Sequence, residues 1–402
     1  MKRVLFLLFS FILLAVVSCD TESEKVYPPE KVVNRVTDFY MFDDGKTFIY
    51  LNSNMNRRYD FGELVLMQID DDGDIVFQDS LLVPSITGKM AVTSDEKFIF
   101  VTTRDKNGVV KAEIVGKSGS YKLQYQDGTK GDYPEILKTK KEPYAQVLSS
   151  DNSKLLVSHI LNGELSVVDV EEWKVIKTAK LKYGVTELIY DENTNYYLAS
   201  HKTSGKISLI EAKETLDDFV VSVKELTIEL PTDGYDVRSI KQSKTAEGSV
   251  FYAAYQNTFN ENSYNYTYDE DTAPQVVTLK LENNSLEVLD TLAVGGNLGE
   301  LTVFPYSSGD EDGERKGDLI FLSLPSEEKL EIINSTEGAV RVREIVSYRD
   351  DEKECKPYQL YSKSTGDTTG YLFVSCFQND MFSLYKIDLT AEQILQQIGV
   401  LR

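Results

Sequence analysis

The chain contains only two histidines, and they stand at matching places in two segments of similar sequence. His159 ends the run Leu-Leu-Val-Ser-His, and His201 ends the run Tyr-Leu-Ala-Ser-His. Two imidazoles brought together could bind a metal ion or serve as a general base. The alternative is a structural role, at a place where the repeat described below tolerates a polar residue such as Asn52. Because no carboxylate or third ligand stands at a recognisable spacing, the sequence favours the structural role and predicts no metal site.

Two cysteines, Cys355 and Cys376, lie near the C-terminal end of the chain. Disulfides form in the oxidising compartments that exported proteins reach. Cys355 precedes a predicted first strand and Cys376 ends the second strand beside it, so antiparallel pairing can bring the two together. The sequence therefore suggests a disulfide between them, with two free thiols as the alternative.

Two tyrosines each follow a proline at the start of a predicted strand, in Pro143-Tyr144 and Pro357-Tyr358. If these strands line a central channel, Tyr144 and Tyr358 stand at its mouth as a ligand site. The simpler interpretation is that each proline fixes a strand start.

A loop rich in tyrosine and asparagine, Tyr255–Tyr268, interrupts the strand pattern. Loops that combine aromatic and polar side chains make adaptable contact surfaces. The sequence suggests a partner-binding loop, with a long insertion of no binding role as the alternative. Its candidate contact residues are Tyr255, Phe259, Tyr264, Tyr266 and Tyr268.

The N-terminus begins with Lys2-Arg3, continues with the apolar run Val4–Val17 and then reaches Ser18-Cys19. This pattern is typical of a secretory signal and is too short for a spanning helix with flanks. Val16-Val17-Ser18-Cys19 resembles the bacterial lipobox. The resemblance implies cleavage before Cys19 and attachment of a lipid such as palmitate to that cysteine, which would anchor the protein to a membrane. The alternative is a plain signal peptide with an incidental cysteine.

This interpretation divides the chain into a signal peptide (1–18), a lipidated cysteine with a tether (19–35) and a folded domain (36–402). The segment Asp20–Glu30 is polar and charged and contains Pro28-Pro29, as expected of a tether. We expect a bacterial cell-envelope protein facing the periplasm or the cell surface. Asp20 after the cysteine resembles an enterobacterial inner-membrane signal, but the choice between inner and outer membrane stays open.

The composition is strongly acidic, with a formal net charge of −22. Such a surface repels nucleic-acid backbones and anionic headgroups, so nucleic acid is not an expected partner. Acidic runs such as Asp70-Asp71-Asp72 and Asp310-Glu311-Asp312 fall in predicted turns. In Asp70–Asp74 the glycine is fourth and strands flank the run, so it is a hairpin turn and not a calcium loop.

No catalytic motif is recognisable from spacing: the chain lacks a nucleophile elbow, a zinc-protease helix, a phosphate loop and a dinucleotide fingerprint. The sequence therefore predicts no catalytic residue and no cofactor. This is weak evidence against an enzyme, because propeller sites assemble from several blades.

The elements that would position these residues are short strands. Ser149–Thr178 contains three apolar runs separated by turns with Asp-Asn-Ser and Asn-Gly, which predicts a small antiparallel meander. Its second strand recurs seven times, as Phe48–Asn52, Phe98–Thr102, Leu155–His159, Tyr197–His201, Val250–Ala254, Leu319–Ser323 and Leu372–Cys376. The period of about 50 residues is typical of propeller blades.

The sequence thus predicts an all-β protein, a seven-bladed β-propeller of four-stranded antiparallel blades. The predicted blade limits are Val36–Val83, Thr87–Tyr133, Ile136–Leu181, Tyr183–Ile228, Tyr235–Leu292, Gly296–Val346 and Lys356–Arg402. In the last blade, Ala391–Gly399 allows a helical turn before the closing strand. An alternative closure adds Lys31–Val36 to the last blade as an outer strand.

Ser149–Thr178 resembles the repeat of the YVTN family of β-propeller proteins. The matching residues are Ser150, Asp151, Lys154, Leu155, Val157, Ser158, Leu165, Ser166, Val167, Val168, Asp169 and Val175. Tyr190–Glu211 and Thr93–Thr103 match more loosely. The resemblance implies a secreted or surface-bound propeller and no single activity.

Together these features predict a lipid-anchored, non-enzymatic scaffold that binds another envelope protein. The alternative is a propeller that binds a small ligand or a metal, or acts as an enzyme, in its central channel near His159 and His201. The repeat lacks the Gly-rich, Ala-Leu-Asp pattern of propeller lipoproteins that assemble outer-membrane proteins, which argues against that role.

Overall fold

The computed structural model describes residues 25–131, 134–202, 204–214, 219–226, 235–257, 273–310, 313–336, 339–347, 349–350, 353–354, 356–376, 379–391 and 393–401. The described residues contain no α-helix, and no helix among them is long and apolar enough to span a membrane. Consecutive strands pair into seven antiparallel sheets, the blades of a propeller, which confirms the predicted fold. The predicted signal peptide and Cys19 lie outside the described residues.

The strands of the first four blades have the following bounds. Blade 1 contains β1 (Val36–Met41), β2 (Thr47–Asn52), β3 (Phe61–Ile69) and β4 (Ile75–Pro84). Blade 2 contains β5 (Thr87–Val92), β6 (Phe98–Thr103), β7 (Gly108–Val115), β8 (Lys122–Tyr125) and β9 (Ile136–Lys138). Blade 3 contains β10 (Pro143–Leu148), β11 (Lys154–His159), β12 (Glu164–Asp169) and β13 (Lys174–Lys180). Blade 4 contains β14 (Val185–Asp191), β15 (Tyr196–His201), β16 (Ile207–Glu214) and β17 (Phe219–Leu226).

The remaining strands form three more blades and a small hairpin. Blade 5 contains β18 (Tyr235–Gln242), β19 (Val250–Asn257), β20 (Gln275–Glu282) and β21 (Ser285–Ala293). Blade 6 contains β22 (Leu301–Asp310), β23 (Gly313–Leu324), β24 (Lys329–Thr336) and β25 (Ala339–Ser347). The hairpin is β26 (Arg349–Asp350) with β27 (Lys353–Glu354), and blade 7 contains β28 (Gln359–Ser364), β29 (Thr369–Cys376), β30 (Met381–Asp388) and β31 (Leu395–Leu401).

The burial pattern explains why the second strands were recognisable in the sequence. All six residues of β2 are buried, because blades cover both faces of the sheet at this depth. A strand buried on both faces carries a continuous apolar run and loses the alternation of a half-exposed strand. The outer strand β21 shows the contrast, since exposed and more buried side chains alternate along it.

The ring closes by packing between blades 1 and 7. The inner strands β1 and β28 are neighbours, and the ring of Phe39 lies 5.4 Å from that of Phe373 and 5.3 Å from that of Phe382. The proposed closure through Lys31–Val36 is wrong, because the outer strand of blade 7 is β31. The helical turn considered for the last blade is also absent from its described residues, since β31 begins at Leu395.

One predicted blade boundary is wrong. The sequence places Ile136 at the start of blade 3, but β9 pairs with Gly108–Val110 of β7 in blade 2. The strand β8 covers only the other half of β7, Ala112–Val115, so β9 completes the outer edge. Blade 3 therefore begins at Pro143.

The predicted tether is shorter than expected, because its described part, 25–35, packs on blade 1. Val26 donates its backbone N–H to Asp60 Oδ2 at 2.7 Å, and Tyr27 stacks on Phe61 at 5.5 Å. Val33 is only 1% exposed.

The connections between strands lie on two opposite faces of the ring. Inner strands begin at what we name the mouth face, whose described segments are 25–35, 53–60, 85–86, 104–107, 139–142, 160–163, 181–184, 202, 204–206, 273–274, 294–300, 325–328, 356–358 and 379–380. The far face contains 42–46, 70–74, 93–97, 116–121, 149–153, 170–173, 192–195, 243–249, 283–284, 365–368, 389–391 and 393–394.

Candidate functional site

A cavity of about 400 Å³ opens at the mouth face, on the propeller axis. The inner strands begin here, so every blade contributes a residue from near the start of its inner strand or just before it. These lining residues are Thr37, Lys89, Tyr144, Thr186, Glu187, Arg238, Gly299, Glu300, Tyr358 and Gln359. Loops that overhang the mouth add Met55, Arg104, Ile160, Lys202, Pro325 and Lys356.

A buried lysine ties together the floor of the cavity. Lys89 Nζ of blade 2 lies 3.0 Å from Glu300 Oε1 beside blade 6 and 3.9 Å from Asp38 Oδ1 of blade 1, and it donates to Gln359 Oε1 of blade 7. Glu300 Oε2 also accepts the backbone N–H of Leu360 at 3.2 Å. These contacts hold the floor of the cavity as a rigid layer of polar side chains.

A second ion pair lies beside the first. Lys241 Nζ contacts Glu187 Oε1, and Glu187 Oε2 accepts the Ser239 hydroxyl at 2.9 Å and the Ile240 backbone N–H at 2.7 Å. Lys241 Nζ is also 3.8 Å from Glu300 Oε1. Both acidic residues of the cavity lining are therefore already neutralised by lysines.

The electrostatics of the floor follow from burial and pairing. Burial opposes a charge on Lys89, but the carboxylates of Glu300 and Asp38 outweigh it and raise the pKa of the lysine. Burial raises the pKa of Asp38 despite the attraction of Lys89. Lys89 is therefore held in its charged form.

The mouth of the cavity is basic. Five of its lining residues are Lys or Arg, and two are Glu. Lys202 and Lys356 form no ion pair with any residue that the structure describes. Arg238 pairs with Asp236 at 3.3 Å, but its Nε is buried without a hydrogen-bond partner. These three cations are available to an anion that enters the cavity.

The two predicted channel tyrosines both line this cavity. The guanidinium of Arg104 lies 5.8 Å from the ring centre of Tyr144 and pairs with Glu142 at 2.7 Å. Burial raises the pKa of Tyr144 to about 12, with Lys89 acting in the opposite direction. Tyr358 is 36% exposed at the rim. Tyr144 therefore stays neutral at physiological pH, and both rings offer flat faces to a ligand.

The two histidines considered for a channel site are not among the residues that line the cavity. His159 and His201 are 0% exposed, each one residue before a lining residue. Each Nδ1 donates to a backbone carbonyl, of Lys141 at 3.2 Å and of Tyr183 at 3.1 Å.

The other ring nitrogens are also occupied. Because Nδ1 carries the proton, Nε2 of each neutral ring accepts a hydroxyl, from Ser166 at 2.9 Å and from Ser208 at 2.8 Å. Burial lowers the pKa of His159 to about 4 and lowers that of His201 as well. Each imidazole therefore joins the third strand of its blade to the connection that precedes the first strand of that blade. The described residues also contain no group of three or more His, Cys, Asp or Glu that could hold a metal ion.

The remaining predicted site residues are only partly described. Tyr255 is not part of a loop: it lies in β19 and is 0% exposed, because the strand extends to Asn257. Phe259, Tyr264, Tyr266 and Tyr268 lie outside the described residues. Cys376 is disulfide-bonded, while Cys355 lies outside the described residues, so their pairing stays a prediction.

The sequence reasoning missed the charged residues of the cavity. Lys89, Glu187, Glu300 and Gln359 come from four blades and have no common motif. A signal does exist: each lies within the first few positions of its inner strand or just before it, directly after Gly88, Thr186, Gly299 or Tyr358. An alignment of the inner strands would have revealed this layer of polar residues. The repeat was instead identified from the second strands, which do not carry it.

Several solved structures are similar to this fold. A candidate 6-phosphogluconolactonase from Bacteroides fragilis aligns with a TM-score of 0.63 and 11% identity, over 90% of this chain and 96% of that chain. The periplasmic gluconolactonase of Pseudomonas aeruginosa aligns with a TM-score of 0.56 and 12% identity, over 80% and 86%. Hydrazine synthase of Kuenenia stuttgartiensis aligns with a TM-score of 0.52 and 15% identity, over 75% and 76%.

At these identities the similarities establish the class of protein alone, a seven-bladed β-propeller of the architecture that 6-phosphogluconolactonase-type propellers share. No protein-family model and no curated protein matches the sequence. The resemblance to the YVTN repeat therefore stays a prediction.

Proposed function

We propose that this protein is a lipid-anchored, non-enzymatic binding protein of the bacterial cell envelope, and that its ligand is a small organic anion held in the channel mouth. The observation that carries the proposal is the excess of basic side chains around the cavity of a chain with a net charge of −22. Lys202, Lys356 and Arg238 supply charge that the described residues do not neutralise in full.

The volume and the lining side chains of the cavity suit a small polar ligand. A volume of about 400 Å³ falls in the range of small-molecule sites. A carboxylate or phosphate would bind among the three cations, where charge-assisted hydrogen bonds are strong. The faces of Tyr144 and Tyr358 suit the C–H face of a hydroxylated ring or chain. Sugar acids combine these features, and the names of two similar structures, both lactonases of gluconate type, make sugar acids the first compounds to test.

Binding is a better fit than catalysis because the described lining of the cavity offers no free general base. Glu187 and Glu300 are paired with lysines, and His159 and His201 are buried outside the lining. The favoured contact loop of the scaffold role expected from the sequence, Tyr255–Tyr268, lies outside the described residues from residue 258 onward. The cavity gives small-ligand binding a more specific basis.

Calorimetry with gluconate, glucuronate, a sugar phosphate and neutral glucose tests the proposal. We expect at least one acid to bind and glucose not to bind, because only the acids complement the cations. The double variant Lys202→Ala/Lys356→Ala should lower the affinity for the acid by roughly tenfold to a hundredfold, since each lost charged hydrogen bond is worth about 1.5 kcal/mol. Lys97→Ala/Lys117→Ala on the far face is the matched control. Equal binding of glucose, or hydrolysis of a gluconate-type lactone, would contradict the proposal.

A further inference from the structure

The carboxyl group of Glu63 is buried in blade 1 without a counter-charge. The residue is 3% exposed, its Oε2 has no hydrogen-bond partner, and no described lysine or arginine pairs with it. Its hydrogen bonds come from the neutral side chains of Ser80 and Asn52. The hydroxyl of Tyr50, two residues before Asn52 on the same face of β2, is also buried and unpartnered. Ionised Glu63 would therefore be a buried charge that neither water nor a cation stabilises.

The same asparagine holds the N-terminal segment, residues 25–35, which we name the strap. Asn52 Oδ1 accepts the backbone N–H of Asn34 at 2.9 Å, and Asn52 Nδ2 donates to the Val32 carbonyl at 2.7 Å. One amide side chain thus contacts both the buried carboxyl group and the strap. Another unpartnered oxygen, Oδ1 of Asn34, belongs to the strap itself, where that residue is 1% exposed.

The strap pairs with no strand of the described sheets. Val26 exchanges two hydrogen bonds with Asp60, at 2.7 and 2.9 Å, and Arg35 pairs with Asp380 at 3.3 Å. Lys31 and Arg35 have positive φ angles of 66° and 54°, which residues other than glycine rarely adopt. Side-chain contacts therefore hold the strap in a strained conformation, and its release would relieve the strain.

The charged groups around Glu63 do not compensate it. Glu30, on the strap, acts against its ionisation. Burial raises the pKa of Tyr50, so that hydroxyl stays neutral. The other charged side chains of the strap and of the elements beside it contact other groups: Lys25, Lys31, Arg35, Arg58, Asp79 and Asp380. Burial therefore raises the pKa of Glu63 to about 7, only partly offset by its hydrogen bonds.

We propose that the strap is a pH-sensitive switch, which lies on blade 1 while Glu63 is neutral and detaches when Glu63 loses its proton. Detachment admits water to the carboxylate and to the unpartnered oxygens of Tyr50 and Asn34. It also frees eleven residues, which span up to about 40 Å when extended. With the lipid on Cys19 that the proposed function includes, the propeller would stand closer to the membrane at acidic pH than at alkaline pH; the release itself does not depend on that lipid.

The direction of the pH dependence follows from proton binding. When the strap is open, Glu63 is hydrated and its pKa returns toward its ordinary value of 4.5. Protons therefore favour the closed strap, and opening becomes more favourable as the pH rises from about 4.5 and levels off above 7. Between pH 5 and pH 8 the equilibrium constant for opening should increase by roughly fiftyfold to a hundredfold.

Hydrogen–deuterium exchange, measured by mass spectrometry on the chain from Asp20 onward, tests the proposal. Protection factors, which remove the intrinsic effect of pH on exchange, are compared at pH 5 and pH 8. We expect the peptides covering the strap to lose protection by roughly fiftyfold to a hundredfold, and at pH 8 to be far less protected than β2. Unchanged protection of the strap would overturn the proposal. Equal protection of the strap and β2 would also overturn it, because the strap would then open only when the blade unfolds.

Two matched variants assign the response to Glu63. Glu63→Gln removes the ionisable group, so its strap should be equally protected at both pH values. Glu331→Gln is the control, because Glu331 of blade 6 is 6% exposed, its Oε2 is unpartnered and burial raises its pKa to about 7. The strap of this control should respond to pH as in the unmodified chain.

Loss of strap protection with rising pH in Glu63→Gln, or absence of that loss in Glu331→Gln, would contradict the proposal. Circular dichroism confirms that both variants are folded. The comparison of the unmodified chain at the two pH values depends on neither variant.

Discussion

Lys89 and Glu300 come from distant parts of the chain and form an ion pair at the centre of the ring, with Nζ and Oε1 3.0 Å apart. Lys89 belongs to blade 2, and Glu300 precedes the first strand of blade 6. Both side chains are largely buried, at 14% and 10% exposed. The pair therefore connects blades that are not neighbours, and it forms the floor on which a ligand would rest.

Removing the lysine should destabilise the fold. Lys89→Met leaves Asp38 buried without its cation and Glu300 with only Lys241, 3.8 Å away. Breaking one partner of a buried ion pair costs about 3–5 kcal/mol. The double variant Lys89→Met/Glu300→Gln should recover part of this loss, because it removes one of the stranded charges. Urea denaturation of both variants measures the difference. Equal stability of Lys89→Met and the unmodified protein would show that the ion pair has no structural role.

The histidines should govern stability at acidic pH and leave ligand binding intact. The folded pKa of His159, about 4, lies below its unfolded value of 6.5. The unfolded chain therefore binds the proton more readily, and stability is lost as the pH falls from about 6.5 toward 4. The shift of His159 alone corresponds to a loss of about 3 kcal/mol, since one pKa unit corresponds to about 1.4 kcal/mol. The pKa of His201 is lowered as well, so its titration acts in the same direction.

Denaturation of His159→Gln/His201→Gln between pH 4 and pH 7 checks this assignment. The variant should be less stable at pH 7, by about 1–3 kcal/mol for each disrupted buried hydrogen-bond network. Its stability should also change less steeply across this range, because the titrating rings are gone. Altered affinity for an anion with unaltered stability would instead place the histidines in the binding site.

A buried glutamate, Glu63, should make the stability of the fold depend on pH in the opposite direction. Burial raises the pKa of Glu63 to about 7, only partly offset by hydrogen bonds from Ser80 and Asn52. Its Oε2 has no hydrogen-bond partner, and the side chain is 3% exposed. The folded state thus favours the protonated form, and stability is lost as the pH rises from about 4.5 through 7.

Glu63→Gln should remove that loss. At pH 8 the variant should be more stable than the unmodified protein by about 2 kcal/mol. Near pH 4.5 the difference should be almost gone, because the glutamate is then neutral in the folded state and only half ionised in the unfolded chain. Thermal unfolding at the two pH values provides the measurement. A stabilisation of the same size at both values would point to packing and not to titration.

The cysteine pairing can be settled by thiol labelling. Cys376 is disulfide-bonded, and we predict Cys355 as its partner. The variant Cys355→Ser should therefore expose one reactive thiol at Cys376 after denaturation, whereas the unmodified chain from Asp20 onward should label only after reduction. Labelling of both cysteines in the unreduced, denatured chain would contradict the pairing.

The sequence predicted the architecture well because the architecture depends on a repeated local pattern. Second strands such as Leu155–His159 are buried on both faces, and their apolar runs mark each blade. The error at Ile136–Lys138 arose because a three-residue strand carries too little pattern to reveal its partner. The closure through Lys31–Val36 was wrong because ring closure by aromatic packing leaves no local signature.

The site was less predictable because it exists only once the ring has closed. Tyr144 and Tyr358 were identified from a local Pro-Tyr feature, and both line the cavity. Lys89 and Glu300 carry no such feature, and their meeting depends on the number and size of the intervening blades. His159 and His201 drew attention because histidine is rare in this chain. In the structure, the hydroxyls of Ser166 and Ser208 hydrogen-bond their Nε2 atoms.

The most direct test of the central claim is a crystal structure of the protein with the acid that binds most tightly in calorimetry. Our account predicts its carboxylate or phosphate in the channel mouth, in contact with Lys202, Lys356 or Arg238, and its carbon chain against Tyr144 or Tyr358. An acid bound at any other surface, or an empty channel at saturating acid, would contradict the account.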